Sequence, residues 1–230
     1  EPCCHTGKQP PCTEAVLASG VKRVIVGCTD PNPVVAGRGI RLLREKGLEV
    51  VAGVLRGECE RQNEVFFHFM RTKLPFTVLK YAMTLDGKTA TVSGKSQWIT
   101  GEAARKRVHE DRGRYMAILT GVSTVLADNP QLTCRIPGGK NPIRVIADTK
   151  LRTPLSSTVV QTARETPTWI VTAVSDAGRK KAYEDAGCRV LSVPAKEGEL
   201  DLQAMMQRLG EEKVDSVMVE SGGTLAWSFL

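Results

Sequence analysis

The chain has 230 residues, of which 41% are hydrophobic and 25% charged, and its formal net charge is +7. This composition is ordinary for a globular protein of one or two domains, and no apolar run approaches the roughly 18 residues that a membrane helix needs. Lysines and arginines are scattered among acidic residues, so the charge favours a small anionic substrate over nucleic acid.

Seven cysteines are an odd number, and four of them stand alone in the sequence. This usage is typical of reduced thiols rather than of a disulfide framework, so we expect a cytoplasmic protein. The chain begins at Glu1 and ends on the apolar stretch LAWSFL, a pattern that predicts a segment of a longer protein, truncated at both ends.

The first part alternates helix and strand patterns. TEAVLASG predicts a helix, VKRVIVGC a buried strand, GRGIRLLREKG an amphipathic helix and LEVVAGVL a second strand. ECERQNEVFFHFMRTK predicts one further helix, and Pro75 follows it. We place a domain boundary there, with a first domain over residues 1–72 and a second over 73–230.

The second part alternates again. Strands are predicted at FTVLKYAM, MAILTG, IRVIAD, TWIVT, CRVLSV and SVMVES. Helices are predicted at GEAARKRVHEDR, DAGRKKAYEDAG, LDLQAMMQRLG and TLAWSFL. Such alternation predicts an α/β fold with a mostly parallel sheet.

A cysteine-rich stretch, EPCCHTGKQPPC, opens the chain. Thiolates are good zinc ligands, and Pro10 and Pro11 predict a helix start at Cys12, where the helix dipole favours a thiolate. The gap between Cys3 and Cys12 is longer than the Cys-x-x-Cys gap of ordinary zinc deaminases. Spacing therefore leaves two interpretations open, a zinc site or a proline-rich loop with incidental thiols.

Phosphate-binding motifs are incomplete in the second part. DGKT and GKS both lack the glycine that a phosphate loop requires upstream, and no G-x-G-x-x-G follows a strand. VMVESGGTLAW combines a strand, a glycine pair and a helix start, which is typical of either an anion-binding turn or a plain tight turn. By default, Arg112 is a solvated helix cation and Trp98 a core residue.

Several stretches nevertheless resemble one family closely. EPCCHTGKQPPC, GVKRVIVGCTDPNPVVAGRGI, KYAMTLDGKTA, SGKSQWIT, GVSTVLADNPQLTCR and VESGGTLA are similar, in this order, to the bifunctional riboflavin-biosynthesis deaminase/reductase. The resemblance covers essentially the whole chain. It implies a partial cytidine-deaminase-like domain followed by a dihydrofolate-reductase-like α/β domain.

For the first domain, the resemblance implies a zinc-dependent pyrimidine deaminase. Its zinc is held by one histidine and two cysteines, and the cysteines match Cys3 and Cys12. The third ligand and the proton-transferring glutamate belong to a His-Ala-Glu motif that this sequence does not contain. We therefore expect the deaminase to be incomplete in this segment, and we assign no catalytic residue.

For the second domain, the resemblance implies an NADPH-dependent reductase of a phosphorylated ribosylaminopyrimidine. The positions that match contacts to the cofactor are Ala82, Trp98, Thr124, Asp128, Thr149, Gly222 and Gly223. Those that match contacts to the substrate are Ser96, Arg112, Leu132, Arg135 and Glu220. Two arginines suit a substrate phosphate because they form bidentate, charge-assisted hydrogen bonds.

Three alternatives stay open. The protein could be a reductase with an inactive deaminase domain, a nucleic-acid deaminase or binding protein, or a scaffold that binds neither metal nor nucleotide. We expect a small phosphorylated pyrimidine as partner, with no nucleic acid and no membrane, and the sequence leaves a homo-oligomer open.

Overall fold

The computed structural model describes residues 1–7, 9–96 and 98–230, and it divides the chain into two compact units, Glu1–Lys73 and Leu74–Leu230. The elements of the first unit are α1 (Cys12–Ala18), β1 (Arg23–Val26), α2 (Arg38–Glu45), β2 (Glu49–Ala52), α3 (Arg56–Gln62) and α4 (Glu64–Thr72). Strands β1 and β2 pair in parallel, and α2 packs its apolar face on them through Ile40 and Leu43.

The single helix predicted over ECERQNEVFFHFMRTK is wrong, because the structure has two helices there. Asn63 separates α3 from α4 and has φ −113° and ψ 24°. Its side-chain Nδ2 donates a hydrogen bond to the carbonyl of Cys59. Such a local side-chain bond competes with the helical ladder, and it accounts for the break.

The carboxylate of Glu1 binds backbone N–H groups before and at the start of α2. Its Oε2 accepts hydrogen bonds from the backbone of Asp30 (3.0 Å) and Gly37 (2.9 Å), and its Oε1 accepts from Gly39 (3.0 Å) and Ile40 (3.3 Å). A carboxylate here satisfies N–H groups that the first turn of a helix leaves free. Glycine is required at position 39, since a Cβ would lie 1.9 Å from the carbonyl oxygen of Pro2.

The second unit is built on a six-stranded sheet. Its elements are β3 (Phe76–Lys80), α5 (Glu102–Arg114), β4 (Ala117–Gly121), α6 (Val122–Asp128), β5 (Ile143–Ala147), α7 (Thr158–Gln161), β6 (Thr168–Thr172), α8 (Ala177–Asp185), β7 (Arg189–Ser192), β8 (Ala195–Lys196), β9 (Glu199–Leu200), α9 (Leu202–Glu211), β10 (Ser216–Glu220) and α10 (Gly223–Trp227). The strand order is β3-β10-β4-β5-β6-β7, and every neighbouring pair is parallel. The predicted parallel α/β sheet is confirmed.

Buried apolar residues cover both faces of this sheet. One cluster includes Leu119, Val145 and Met205, and the other includes Ile118, Ile146 and Tyr183. Consecutive residues of β4 and β5 thus contribute to opposite clusters, as the alternation of side chains along a strand requires. The antiparallel hairpin β8–β9 lies outside the main sheet.

Arg144 is a charged residue in the middle of this core. It lies on β5 and is fully buried. Its guanidinium donates hydrogen bonds to Thr162 Oγ1 and to the carbonyls of Gln131, Val159, Thr162 and Thr166, at 2.8–3.2 Å. Burial lowers the pKa of Arg144 to about 10, so the side chain remains protonated at neutral pH. It joins the segments around α7 to the sheet.

Candidate active site at the carboxyl edge of the sheet

The carboxyl ends of four adjacent strands form the candidate site. Strands β3, β10, β4 and β5 are neighbours in the sheet, and all four run in the same direction. Open parallel sheets bind their ligands at this edge. Five of the predicted residues come just after these strands. Thr124 lies in the first turn of α6, which follows β4, and the others follow the ends of β3, β10 and β5: Ala82, Gly222, Gly223 and Thr149.

Glu220, the last residue of β10, is the centre of a charged cluster. Arg112 on α5 donates to both of its carboxylate oxygens, from Nε at 2.7 Å and from Nη2 at 3.0 Å. Lys80 at the end of β3 lies 3.7 Å from the same carboxylate and faces Glu220 in the strand register. The side chains of Arg112 and Glu220 are only 12% and 10% exposed. Arg112 is therefore an ion-paired residue, and its default interpretation as a solvated cation is wrong.

The segment from Leu132 to Arg135 is attached to α5 beside this cluster. The Nη1 of Arg112 donates to the carbonyl of Thr133 (3.1 Å), and the Sγ of Cys134 donates to the carbonyl of His109 (3.2 Å). The side chain of Leu132 is buried in the core, at a backbone φ of 54°. The structure thus brings Arg112, Leu132, Arg135 and Glu220 together from three separate parts of the sequence.

His109 faces Arg135 directly. The backbone N of Arg135 lies 3.3 Å from His109 Nδ1, and Nη2 of Arg135 lies 3.2 Å from Nε2. Desolvation and the nearby charges of Arg112 and Arg135 lower the pKa of His109 below its usual value. The imidazole is consequently neutral at physiological pH.

The turn after β10 offers open backbone. A Cβ at Gly222 or Gly223 would meet no atom within 4 Å, and neither glycine has a positive φ. The protein fold itself therefore does not require glycine at these positions. The Oγ of Ser221, immediately before them, is buried and has no hydrogen-bond partner among the described residues. An uncovered backbone next to an unsatisfied hydroxyl fits an anionic ligand such as a cofactor phosphate.

Thr149 lies at the end of β5 in a tightly held loop. Its carbonyl accepts hydrogen bonds from the backbone of Ala173 (3.2 Å) and from Thr172 Oγ1 (3.2 Å). Its own Oγ1 donates to Glu199 Oε2 on β9 (3.1 Å). Asp148, which precedes it, is fully buried; its Oδ2 accepts from Thr153, and its Oδ1 has no partner in the described part of the chain.

Three other predicted residues are exposed to solvent. Trp98 is 71% exposed, and the guanidinium of Arg105 lies over its ring at 4.4 Å, so its default interpretation as a core residue is wrong. Ser96 is exposed on the long segment between β3 and α5, and Asp128 is exposed at the end of α6. No hydrogen bond in the described residues joins these three to the Glu220 cluster.

The predicted zinc ligands are neighbours in the first unit. The backbone N–H of Cys12, at the start of α1, donates to Cys3 Sγ (3.3 Å), and this hydrogen bond lowers the pKa of the Cys3 thiol. A thiol that readily ionises suits a zinc ligand. However, within residues 1–7, 9–96 and 98–230 no group of three histidine, cysteine or acidic side chains is placed to hold a metal. The described residues therefore do not complete a zinc site.

Comparisons with known proteins identify the family of this chain. Residues 75–230 match the family described as the RibD C-terminal domain. The chain belongs to this family. The riboflavin biosynthesis protein RibD of Actinobacillus pleuropneumoniae is 49% identical over 230 residues, which are 100% of this chain and 61% of that protein.

Two solved structures are similar over almost the whole chain. The Thermotoga maritima diaminohydroxyphosphoribosylaminopyrimidine deaminase/5-amino-6-(5-phosphoribosylamino)uracil reductase is 39% identical with a TM-score of 0.84, covering 99% of this chain and 61% of that chain. Acinetobacter baumannii RibD is 35% identical with a TM-score of 0.85, covering 100% and 63%. The predicted resemblance and the α/β fold class with a dihydrofolate-reductase-like sheet are confirmed.

The chain spans about three fifths of the length of the RibD relatives that it matches. In the part of the chain that the structure describes, no helix combines the length and the apolar character needed to cross a bilayer.

Four polar residues of this edge were not predicted as site residues. Lys80 was visible beside the strand pattern but had no assigned role, and Ser221 stands directly before the glycine pair. His109 precedes Arg112 by three positions, a spacing that places both on one face of a helix and could have indicated it. Glu199 comes from a two-residue strand 50 positions from Thr149, and no sequence pattern indicates that contact.

Proposed function

We propose that the second unit is an NADPH-dependent reductase of riboflavin biosynthesis, and that its substrate is a phosphorylated ribosylaminopyrimidine. The observation that carries this proposal is the combination at one sheet edge of a cationic cluster around Glu220 and an open Ser221–Gly222–Gly223 turn. The cationic cluster suits a phosphorylated substrate, and the turn suits a phosphate of the dinucleotide. Membership of the RibD family and the similarity to a Thermotoga maritima deaminase/reductase support the same reaction.

NADPH, when bound, would supply a hydride to C1' of the ring-opened imine of the substrate, and a proton added to the imine nitrogen completes the amine. The chain itself binds and orients. Arg112 and Arg135 would bind the substrate phosphate, and Glu220 would keep Arg112 in place through its two hydrogen bonds. Each carboxylate oxygen of Glu220 has two lone pairs, so Glu220 can also accept a hydrogen bond from a substrate hydroxyl. Such positioning contributes a large part of the rate enhancement.

On the cofactor side, Ser221 Oγ and the backbone of Gly222 and Gly223 would donate to a phosphate. Thr149 would contact the cofactor at the end of β5, and Trp98 would provide an apolar surface. Ala82, Thr124 and Asp128 complete the proposed cofactor set, and Ser96 and Leu132 the substrate set.

The first unit, in this proposal, contributes Cys3 and Cys12 to the zinc of a hydrolytic pyrimidine deaminase. Because the described residues supply only these two ligands, we derive no catalytic step through the metal. A reductase that acts without deaminase activity is the second candidate. We further propose a cytoplasmic enzyme that acts on a small molecule, without nucleic acid or membrane as partner, and leave homo-oligomerisation to experiment.

An NADPH titration that follows tryptophan fluorescence, combined with NADPH oxidation in the presence of the phosphoribosylaminopyrimidine, tests the proposal. We expect saturable quenching and substrate-dependent oxidation. Arg112→Ala should raise the substrate KM about tenfold, the effect of one lost charge-assisted hydrogen bond, and leave the NADPH Kd unchanged. Arg107→Ala, on the exposed side of the same helix, is the matched control and should change neither constant. A protein that retains this fold but neither binds nor oxidises NADPH would contradict the proposal.

A further inference from the structure

The contact between His109 and Arg135 has an unusual hydrogen-bond requirement. Both groups that Arg135 directs at the imidazole, its backbone N–H and its Nη2, are donors, and they lie 3.3 and 3.2 Å from the two ring nitrogens. A ring nitrogen accepts a hydrogen bond only when it carries no proton. A neutral imidazole has one such nitrogen, and an imidazolium has none.

Protonation of His109 would therefore abolish the hydrogen bond that attaches Arg135 to α5. It would also place a third positive charge beside two guanidinium groups. The charged groups that face the ring are Arg112 on the same helix, Arg135 on the adjoining segment and Glu220 at the end of β10, and the two cations outnumber the one anion. Desolvation first, and then the charges of Arg112 and Arg135, lower the pKa of His109.

Two further hydrogen bonds attach the backbone of residues 133–134 to α5. The carbonyl of His109 accepts from Cys134 Sγ, and Arg112 donates to the carbonyl of Thr133. The imidazole also has a hydrogen bond with the backbone of Thr133, so Thr133 is held by both the ring and Arg112. For the guanidinium of Arg135, the contact with α5 is the one to the ring of His109.

We propose that His109 is a positioning residue that holds Arg135 in the anion-binding arrangement, and that it does so only while its imidazole is neutral. This inference rests on the proposed function, in which Arg112 and Arg135 bind the phosphate of the substrate. Acidification then weakens anion binding through release of Arg135, although the protein as a whole gains positive charge.

Sulfate binding to the full chain, measured by isothermal titration calorimetry between pH 5.5 and 8, tests the inference without any need for turnover. Sulfate is the suitable probe because it remains a dianion throughout this range. The variants are His109→Gln, which keeps a hydrogen-bond acceptor but does not titrate, and His109→Ala, which removes the acceptor. His68→Gln, in the first unit, is the matched control.

At pH 8 the wild-type protein and His109→Gln should bind sulfate with Kd values within about twofold of each other, and His109→Ala about tenfold more weakly. As the pH falls to 5.5, the wild-type Kd should rise relative to that of His109→Gln until it approaches that of His109→Ala. The His68→Gln profile should follow the wild type. The substrate KM of each variant, relative to the wild type at the same pH, should change in the same pattern, and kcat should stay within about twofold. Ionisation of the substrate phosphate affects all variants alike, so it does not change this comparison.

Two results would overturn the inference. A wild-type profile parallel to that of His109→Gln would show that the titration of His109 does not affect the site. Tighter wild-type binding at low pH, relative to His109→Gln, would show that the imidazolium binds the anion itself. Failure of the proposed function has a different signature, because sulfate binding would then persist without any substrate-dependent NADPH oxidation. If His109→Ala does not fold, the comparison with His109→Gln still decides the question.

Discussion

Arg112 on α5 donates two parallel hydrogen bonds to Glu220 at the end of β10, a residue 108 positions further along the chain. The pair joins a surface helix to a central strand at the point where we place the substrate. Both side chains are largely buried, so neither charge is well solvated without the other. The ion pair therefore contributes both to the stability of the fold and to the substrate site. Unfolding experiments measure the first contribution, and substrate KM values measure the second.

A double-mutant cycle on Arg112 and Glu220 should give a coupling energy of about 2 kcal/mol in urea unfolding, because the pair is bidentate and mostly shielded from water. The matched control is the exposed pair Arg107–Asp111 on the same helix. Its coupling should be below about 0.5 kcal/mol. Equal coupling energies for the two pairs would mean that burial does not strengthen the first.

Arg144→Met should destabilise the second unit by about 3 kcal/mol or more, since it leaves buried carbonyls without donors. The acceptors are the carbonyls of Val159 in α7, of Thr162 and Thr166 after it, and of Gln131. Chemical denaturation followed by circular dichroism measures the loss. Arg152→Met, at an exposed site, should change stability by less than about 0.5 kcal/mol. A wild-type midpoint for Arg144→Met would show that the buried charge contributes no net stability.

Glu199→Gln should tighten NADPH binding roughly fivefold at low ionic strength, because it removes a negative charge about 4 Å or less from where an anionic cofactor would meet Thr149. Glu197→Gln removes the same charge from the turn of the same hairpin and should change the Kd by less than about twofold. The measurement is a fluorescence titration at two salt concentrations. Equal effects of the two variants would indicate a general charge effect and would remove the case for a direct contact at Thr149.

Alkylation should distinguish the thiols. The hydrogen bond from the backbone of Cys12 lowers the pKa of Cys3, whereas burial raises the pKa of Cys188 to about 11. At pH 7.5 iodoacetamide should therefore modify Cys3 much faster than Cys188, since the thiolate is the reactive form. Peptide mass mapping over time gives both rates. Comparable rates would contradict the arrangement of Cys3 and Cys12.

Stability should fall on mild acidification because of His109. Its pKa is lowered in the folded state, so between the ordinary value near 6.5 and the folded value the unfolded chain binds more protons. The contribution is complete above the ordinary pKa and is lost as the pH falls through the folded pKa. Thermal melts of the wild type and His109→Gln between pH 5 and 8 should diverge on the acid side. Parallel curves would show that His109 is not desolvated in the folded protein.

The sheet was predictable from the sequence because its strands are short apolar runs rich in β-branched residues, as in MAILTG and IRVIAD. Most residues of β4 and β5 are buried, so a continuous apolar run is the expected pattern there. The break at Asn63 was not predictable from periodicity, because α3 (RGECERQ) has almost no apolar residues and so no helical pattern whose end could be recognised. Helix α7 and the hairpin β8–β9 have too few residues for any periodic signal.

The candidate site was only partly predictable. The types of residue that bind phosphate could be named, but the ion pair of Arg112 depends on a partner far away in the chain, and the sequence suggested a solvated cation instead. The same limit applies to Thr149 and Glu199. Local patterns indicate which elements form, whereas contacts between their ends depend on the order of strands in the sheet.

The order of strands has a consequence for biosynthesis. Strand β10 is the last of the six to leave the ribosome, yet it lies between β3 and β4. Until residues 216–220 emerge, those two strands keep unsatisfied edges in the nascent chain, a state that favours misassociation and slow maturation. Glu220 is the last residue of β10, so Arg112 gains its ion-pair partner only when β10 pairs with β3 and β4.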